Sequence, residues 1–191
     1  MRQLVVLVGL PGSGKTSFQR EHPEWATVSR SAIRHSVFRC SFDPSHEATV
    51  DRIFHAALVE TVDSPVETVC VDEPNLTRVE RLAYAELARL SGRQLVARVF
   101  SPEPADALFE RLERNLRRLA LEKPHLSVRA FPRRVFDGLA AQYEPIESTE
   151  GFAEVVREES ESALVAAATT DARRSMRRQP VSRSPLPLFT S

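Results

Sequence analysis

The stretch Gly9-Leu10-Pro11-Gly12-Ser13-Gly14-Lys15-Thr16 follows the apolar run Leu4-Val5-Val6-Leu7-Val8 with no gap. Its pattern, G-x-x-x-x-G-K-[ST] between a buried strand and a helix start, is that of a phosphate-binding loop. Glycines let the backbone turn tightly enough for successive N–H groups to face phosphate oxygens, and the positive end of the following helix adds to that field. Lys15 is placed to reach the β and γ phosphates and Thr16 to ligate magnesium. Of the 26 basic residues all but Lys15 and Lys123 are arginine, so a lysine here is not an accident of composition. A compact ammonium suits a phosphate cluster as a point charge. The loop predicts binding of ATP with Mg2+ through Gly9, Pro11, Gly12, Ser13, Gly14, Lys15, Thr16 and Ser17.

A chain of 191 residues suits one domain with a full core and an appendage. No run approaches the roughly 20 apolar residues that span a bilayer. The N-terminus enters a strand at once, unlike a signal peptide. Cys40 and Cys70 have neither the count nor the spacing of a disulfide framework or a zinc site, and Cys70 reads as core filling. The histidines show no metal-ligand spacing. A cytoplasmic protein without a membrane partner is expected. The net charge of zero hides a segregation. Residues 151–168 set Arg157 against Glu154, Glu158, Glu159 and Glu161, and residues 169–191 set Arg173, Arg174, Arg177, Arg178 and Arg183 against Asp171. The expected organisation is a domain at 1–150, an acidic connector at 151–168 and a basic, disordered tail at 169–191. A short helix over Ser162–Thr170, at the end of the connector, is one option. The tail reads either as an electrostatic contact to nucleic acid or as a solvated end.

Along the first 150 residues strands alternate with helices. Pro23 stops the helix behind the loop, and Ala26-Thr27-Val28 reads as a second strand. Ser45 is the expected N-cap of a helix burying Val50, Ile53, Phe54, Ala57 and Leu58. Thr68-Val69-Cys70-Val71 is a buried strand ending at Asp72. Thr77 and Glu80 have capping-box spacing for a helix with Val79, Ala83, Leu87 and Leu90 inward, closed by Ser91-Gly92. Residues 95–100 form the next strand. A helix over 103–119 buries Ala105, Leu108, Leu112, Leu116 and Leu119, and Pro132 starts a last helix. The order predicts an α/β fold of the P-loop NTPase type: a doubly wound, mainly parallel sheet with helices on both faces and a small helical lid bearing arginines. Gly9, Ser29 and Asp72 all fall at carboxyl ends of strands, where such sheets bind ligands.

Asp72 ends its strand as a magnesium-binding carboxylate does. Taken together, Gly9–Thr16, Val28-Ser29-Arg30-Ser31-Ala32-Ile33-Arg34, Val71-Asp72-Glu73-Pro74-Asn75-Leu76-Thr77 with Arg81, and Arg114-Asn115 with Arg118 resemble the phage-type polynucleotide 5′-kinases and the AAA-type P-loop kinases around them. The resemblance implies that Lys15, Arg34, Asp72, Arg114 and Arg118 are catalytic. Arg34 would hold the acceptor beside the attacking hydroxyl, with Ser31 and Asn75 on the acceptor side. Arg114 and Arg118 would belong to a lid over the triphosphate. Helical spacing groups Arg111, Arg114 and Arg118 away from the leucine stripe, a clustering that phosphate relieves.

One position departs from the family pattern. Where these kinases carry an Asp that takes the proton of the attacking hydroxyl, this chain has Ser31. The departure leaves a slow kinase, a kinase with a substitute carboxylate (Asp43, Asp51 or Glu73), or a nucleotide-binding switch without transfer. The leading expectation is ATP-dependent transfer of the γ-phosphate to an acceptor hydroxyl, with nucleic-acid 5′ ends as the first acceptor class. A small-molecule kinase of the same fold is the alternative.

Overall fold

β1 (Gln3–Val8) is apolar on both faces because both faces are covered. Leu4, Val6 and Val8 turn to one layer of helices, Val5 and Leu7 to the other, and none is more than 1% exposed. Parallel sheets buried on both sides need such unbroken runs. In the computed structural model, which describes residues 1–100 and 103–158, four strands join β1 in parallel. These are β2 (Ala26–Val28), β3 (Thr68–Val71), β4 (Gln94–Phe100) and β5 (Glu154–Glu158), in the order β2-β3-β1-β4-β5. Gln3 stands opposite Thr68 and Gln94, and Val6 opposite Val71 and Ala97.

The helices are α1 (Lys15–Arg20), α2 (Arg30–Ile33), α3 (Glu47–Asp63), α4 (Arg78–Ser91), α5 (Ala105–Glu122) and α6 (Arg133–Ala141). A π-helical turn, Arg34–Phe38, continues α2, and a 3-10 turn spans Ser148–Glu150. Phe54, Leu58 and Val62 of α3 and Tyr84 and Ala88 of α4 cover one face of the sheet. Phe18 of α1 and Trp25 pack on the other, with Phe18 edge-on to Phe100 at 5.6 Å. The strand order reverses around β1, so the loop after β1 opens into the crevice where α/β sheets take ligands. Among the described residues no helix is long and apolar enough to cross a membrane.

Most expected elements are present, including the Thr77–Glu80 capping box and the buried Cys70. Three expectations need correction. α4 turns a different face inward: Val79 and Leu90 are 78% and 68% exposed, and Arg81, Tyr84 and Ala88 are buried instead. Ser45 does not cap α3. Its N–H and hydroxyl both donate to Asp43 Oδ1, at 3.0 and 2.7 Å, and the helix starts behind His46. The sheet also extends beyond the boundary expected at residue 150, because Glu154–Glu158 of the expected connector forms β5. An edge strand is half covered and tolerates charge, so its composition reads as a linker. The remaining connector, the Ser162–Thr170 helix and the basic tail lie outside the described residues.

The face that α4 presents is set by Arg81, which is fully buried. Its Nε and Nη2 donate to the two carboxylate oxygens of Glu150 at 2.7 and 2.9 Å. Nη1 donates to the carbonyls of Asn75 and Leu76, and Nη2 also to that of Pro145 at 3.4 Å. All five N–H groups of the guanidinium are thereby used. Burial opposes ionisation of Glu150, but the hydrogen bonds from Arg81 and the Glu147 N–H outweigh it and hold the carboxyl below its ordinary range. Breaking such a pair leaves a buried charge uncompensated. Arg81→Ala is expected to cost about 3–5 kcal/mol in urea unfolding at neutral pH. Arg81→Met combined with Glu150→Leu is expected to cost much less. Because Glu150 ionises more readily folded than unfolded, its contribution is complete at neutral pH and lost as pH falls through the folded value. That acid limb should be missing from the double variant.

Candidate functional site

The loop after β1 is built around glycines with positive φ. Gly14 at +101° caps α1 from the left-handed region, and Gly12 at +85° forms the outer turn. A Cβ on Gly12 would run into the Leu108 carbonyl of α5 and lie 3.3 Å from the Leu112 nitrogen. Gly12 therefore serves both the turn and the approach of a helix.

Lys15 is buried, 7% exposed, and points back into the loop. Its ammonium donates to the carbonyls of Gly9 and Leu10 at 2.7 and 2.8 Å and to Ser13 Oγ at 3.5 Å. Burial pushes its pKa down to about 8, against the pull of Asp72 and Glu73. Thr16 Oγ1 donates to Asp72 Oδ2 at 3.1 Å, so the two expected magnesium ligands meet. Burial raises the Asp72 pKa, opposed by Lys15 and Thr16. Two hard oxygen donors beside a phosphate loop fit Mg2+, which keeps several waters and takes its remaining ligands from phosphates. Among the described residues no group of three or more His, Cys, Asp or Glu forms a metal site of its own. Pro11 lies in the outer turn and Ser17 on the exposed side of α1.

The segment after β3 is tied to the base of this loop. The Gly9 N–H donates to Pro74 O at 3.0 Å, and the Asp72 N–H to Val28 O at 3.1 Å. Asn75, left-handed at φ +49°, is 2% exposed, and its amide donates to Leu7 O at 2.7 Å and Glu73 O at 3.2 Å. The Asn75 side chain, expected on the acceptor side, is spent as a brace between β1 and the segment after β3. Glu73 turns the other way. Its carboxylate accepts the Arg30 N–H at 2.5 Å and lies 3.6 Å from the Arg30 guanidinium, which also bonds Asp51 at 2.6 Å and stacks 3.8 Å over Phe54. Burial raises the Glu73 pKa, opposed by Arg30 and Arg34.

Ser31 is exposed on α2, next in sequence to this contact. Arg34, expected to hold the acceptor, already has a partner in the protein. Its Nε and Nη2 form a two-pronged pair with Glu47 at 2.8 and 2.6 Å. Of the other carboxylates weighed from sequence, Asp43 pairs with Arg129 at 3.0 Å and Asp51 with Arg30. The arginines of α5 do not share one surface. Arg111 is drawn onto the phosphate loop, donating to Gly12 O at 3.1 Å and pairing with Glu103 at 2.7 Å. Arg114 is exposed, with no ion pair among the described residues, and Arg118 reaches Glu122 at 3.6 Å on open surface. A cavity of about 170 Å³ between α5 and residues 128–131 is lined by Arg129 but by none of the phosphate-loop, Arg30, Arg34 or Asp72 groups. The contacts of Arg30 and Arg111 escaped the sequence reading, since both arginines look like ordinary surface charge.

Comparison with known proteins fits this geometry. The sequence family described as AAA domain matches residues 4–146. No curated protein sequence matches the chain. Among solved structures, a chain of the Pnkp1/Rnl/Hen1 RNA repair complex aligns with a TM-score of 0.58 and 18% identity, covering 74% of this chain and 43% of that one. Kti12 of Chaetomium thermophilum, in complex with ADP-AlF3, aligns at 0.54 and 18% identity over 88% and 98% of the two chains. A gluconokinase from Sinorhizobium meliloti 1021 aligns at 0.53 and 17% identity over 94% and 100%. This chain thus spans less than half of the RNA repair subunit it resembles. With the family match over most of its length and a five-stranded parallel sheet around the phosphate loop, the chain belongs to the AAA-domain family and has the fold of the P-loop kinases.

Proposed function

We propose that this protein is an ATP- and magnesium-dependent kinase that transfers the γ-phosphate to an acceptor hydroxyl. The observation that carries the reading is the meeting, at the carboxyl ends of β1, β2 and β3, of two half-sites. The Lys15–Thr16–Asp72 cluster suits a triphosphate, and the Glu73–Arg30 and Arg34–Glu47 pairs beside it suit an acceptor. When bound, magnesium between Thr16 and Asp72 would offset charge on the β and γ phosphates. Lys15 exchanges its contacts with Gly9 and Leu10 for phosphate oxygens. Arg114 and Arg118 approach from α5 to neutralise the charge that spreads over the transferred group. Arg34, held by Glu47, steadies the acceptor. Of the three carboxylates weighed as substitutes for the missing Asp, Glu73 is favoured, since it alone is delivered from β3 to the turn that carries Ser31.

RNA repair and gluconokinase proteins share the fold, so a nucleic-acid 5′ end is the first acceptor class to test on the strength of the sequence resemblance alone. A small-molecule acceptor is the second reading. It is favoured by the pairing of Arg30, Arg34 and Arg129 with Asp51, Glu47 and Asp43, which leaves that side without surplus positive charge for a polyanion.

The deciding assay is transfer of labelled γ-phosphate from ATP to a 5′-hydroxyl oligonucleotide and to a panel of hydroxyl metabolites. Transfer that disappears in Lys15→Ala is the expected result. ATP binding with no transfer to any acceptor would turn the reading to a nucleotide switch. A second expectation concerns pH. With the Lys15 pKa near 8, only the protonated side chain attracts phosphate, so ADP should bind about tenfold more weakly at pH 9 than at pH 7. Lys15→Arg should remove that dependence. Calorimetric titration across this range checks both, and a flat wild-type profile would count against a neutral Lys15.

A further inference from the structure

Arg111 stands apart from the other arginines of α5 because its partners belong to the phosphate loop and to the entry of the helix. Nη1 bonds the Gly12 carbonyl at 3.1 Å and Glu103 Oε1 at 3.0 Å, while Nη2 bonds Glu103 Oε2 at 2.7 Å. The Arg111 and Glu103 side chains are only 19% and 10% exposed, so the pair is shielded from solvent screening. A second observation, independent of charge, puts the same helix on the same residue: the missing Cβ of Gly12 is what lets the Leu108 carbonyl approach. Beside this approach Gly9, Leu10, Ser13, Leu108 and Phe100 leave a cavity of about 90 Å³ between loop and helix. The start of α5 is therefore seated on the loop through a backbone approach and a charge pair, not through dense packing.

The geometry points to Arg111 as a positioning residue for the nucleotide site, with Glu103 as its anchor. In a trans peptide the carbonyl and the following N–H point in opposite directions. Holding the Gly12 carbonyl outward turns the Ser13 N–H toward the loop interior, where it meets Leu10 O at 3.1 Å, the same carbonyl that Lys15 contacts. That interior is where phosphate oxygens would replace Leu10 O as the acceptor. The same guanidinium fixes the first turns of α5, and with them the reach of Arg114, three residues further along the helix. Arg111 thus couples loop shape to lid placement without touching the reacting atoms. With a glycine at position 12, the plane of the Gly12–Ser13 peptide would otherwise flip more easily about its flanking dihedrals.

This inference rests on the nucleotide-binding reading of the loop but not on phosphotransfer. The experiment measures ADP affinity by calorimetry and the thermal midpoint for the full chain, for Arg111→Gln, Arg111→Lys, Glu103→Gln and the Arg111→Gln/Glu103→Gln double variant. Loss of the loop contact predicts ADP binding about tenfold weaker in Arg111→Gln, together with a lowered midpoint that the double variant partly restores while its ADP affinity stays low. Arg111→Lys should recover part of it, because an ammonium reaches one partner but not both. The double variant should be no worse than Arg111→Gln alone, since Glu103 acts through Arg111. Wild-type-like ADP affinity in Arg111→Gln overturns the inference while leaving the kinase reading intact. So does a loss of affinity that merely tracks a falling midpoint in every variant, or a Lys variant as weak as Gln. If the wild-type chain binds no ADP at all, both readings fall together.

Discussion

The site depends on a charge that never meets solvent. Arg81 sits with no exposed surface inside α4 and spends every N–H it has on Glu150 and on the carbonyls of Asn75, Leu76 and Pro145. Through those carbonyls it fixes the segment that follows β3. Asn75 then passes the constraint on, its amide on Leu7 O, while Pro74 O receives the Gly9 N–H. A chain of hydrogen bonds thus runs from a buried ion pair behind the sheet to the first residue of the phosphate loop. Asp72 and Glu73 begin the braced segment, so their positions are set by the same chain. Buried ion pairs are weak contributors to net stability when compared with apolar replacements. Here the return is geometric: two carboxylates held at fixed places against a loop rich in glycine.

That placement has an electrostatic consequence. Asp72 and Glu73 are neighbours in a poorly solvated crevice, and burial pushes both toward protonation. Lys15 and Arg30 offset them from opposite sides, Lys15 from the loop and Arg30 from α2. Lys15 suffers the same burial and is left with a pKa near 8, a cation whose charge is held by its neighbours. A triphosphate brings more negative charge than these carboxylates carry, and in the proposed kinase magnesium and the α5 arginines would supply the compensation. The crevice is therefore close to balanced by itself and would be short of positive charge with a nucleotide bound, which is the condition that would draw the proposed lid arginines inward.

Much of this was legible in the sequence, and the failures share a physical cause. The phosphate loop, the strands around it and the Thr77–Glu80 cap are local patterns, decided by residues close together in the chain. The face of α4 was misread because an apolar stripe at Val79, Ala83, Leu87 and Leu90 competes with Arg81, and a pattern rule cannot know that an arginine has a buried glutamate waiting 69 residues away. Glu154–Glu158 looked like a linker for a related reason: its hydrogen bonds go to β4, far back in the sequence. Ser45 spends its N–H and hydroxyl on Asp43, two residues earlier, and caps nothing, so local pairing between short polar side chains also escapes a spacing rule. Asn75 was assigned to an acceptor by family likeness, and the brace it makes to Leu7 is invisible without the sheet order.

The arginines divide by what they already hold. Arg81 and Arg111 are satisfied by the protein and act as fixed parts of the frame. Arg30, Arg34 and Arg129 each face a carboxylate across the acceptor side, so an incoming anion must exchange one partner for another and gains only the difference. Arg114 holds nothing among the described residues, and Arg118 only a loose contact at 3.6 Å on open surface. For these two, phosphate is a nearly uncontested partner, and a bidentate guanidinium–phosphate contact would bring new energy rather than replace old. The same residue type thus builds the frame, balances the carboxylates of the proposed acceptor side and, in Arg114 and Arg118, stays available for the proposed nucleotide. Which task each arginine performs is decided by the carboxylates and carbonyls that the fold brings to it, which is why 24 arginines in one sequence could not be sorted by their spacing.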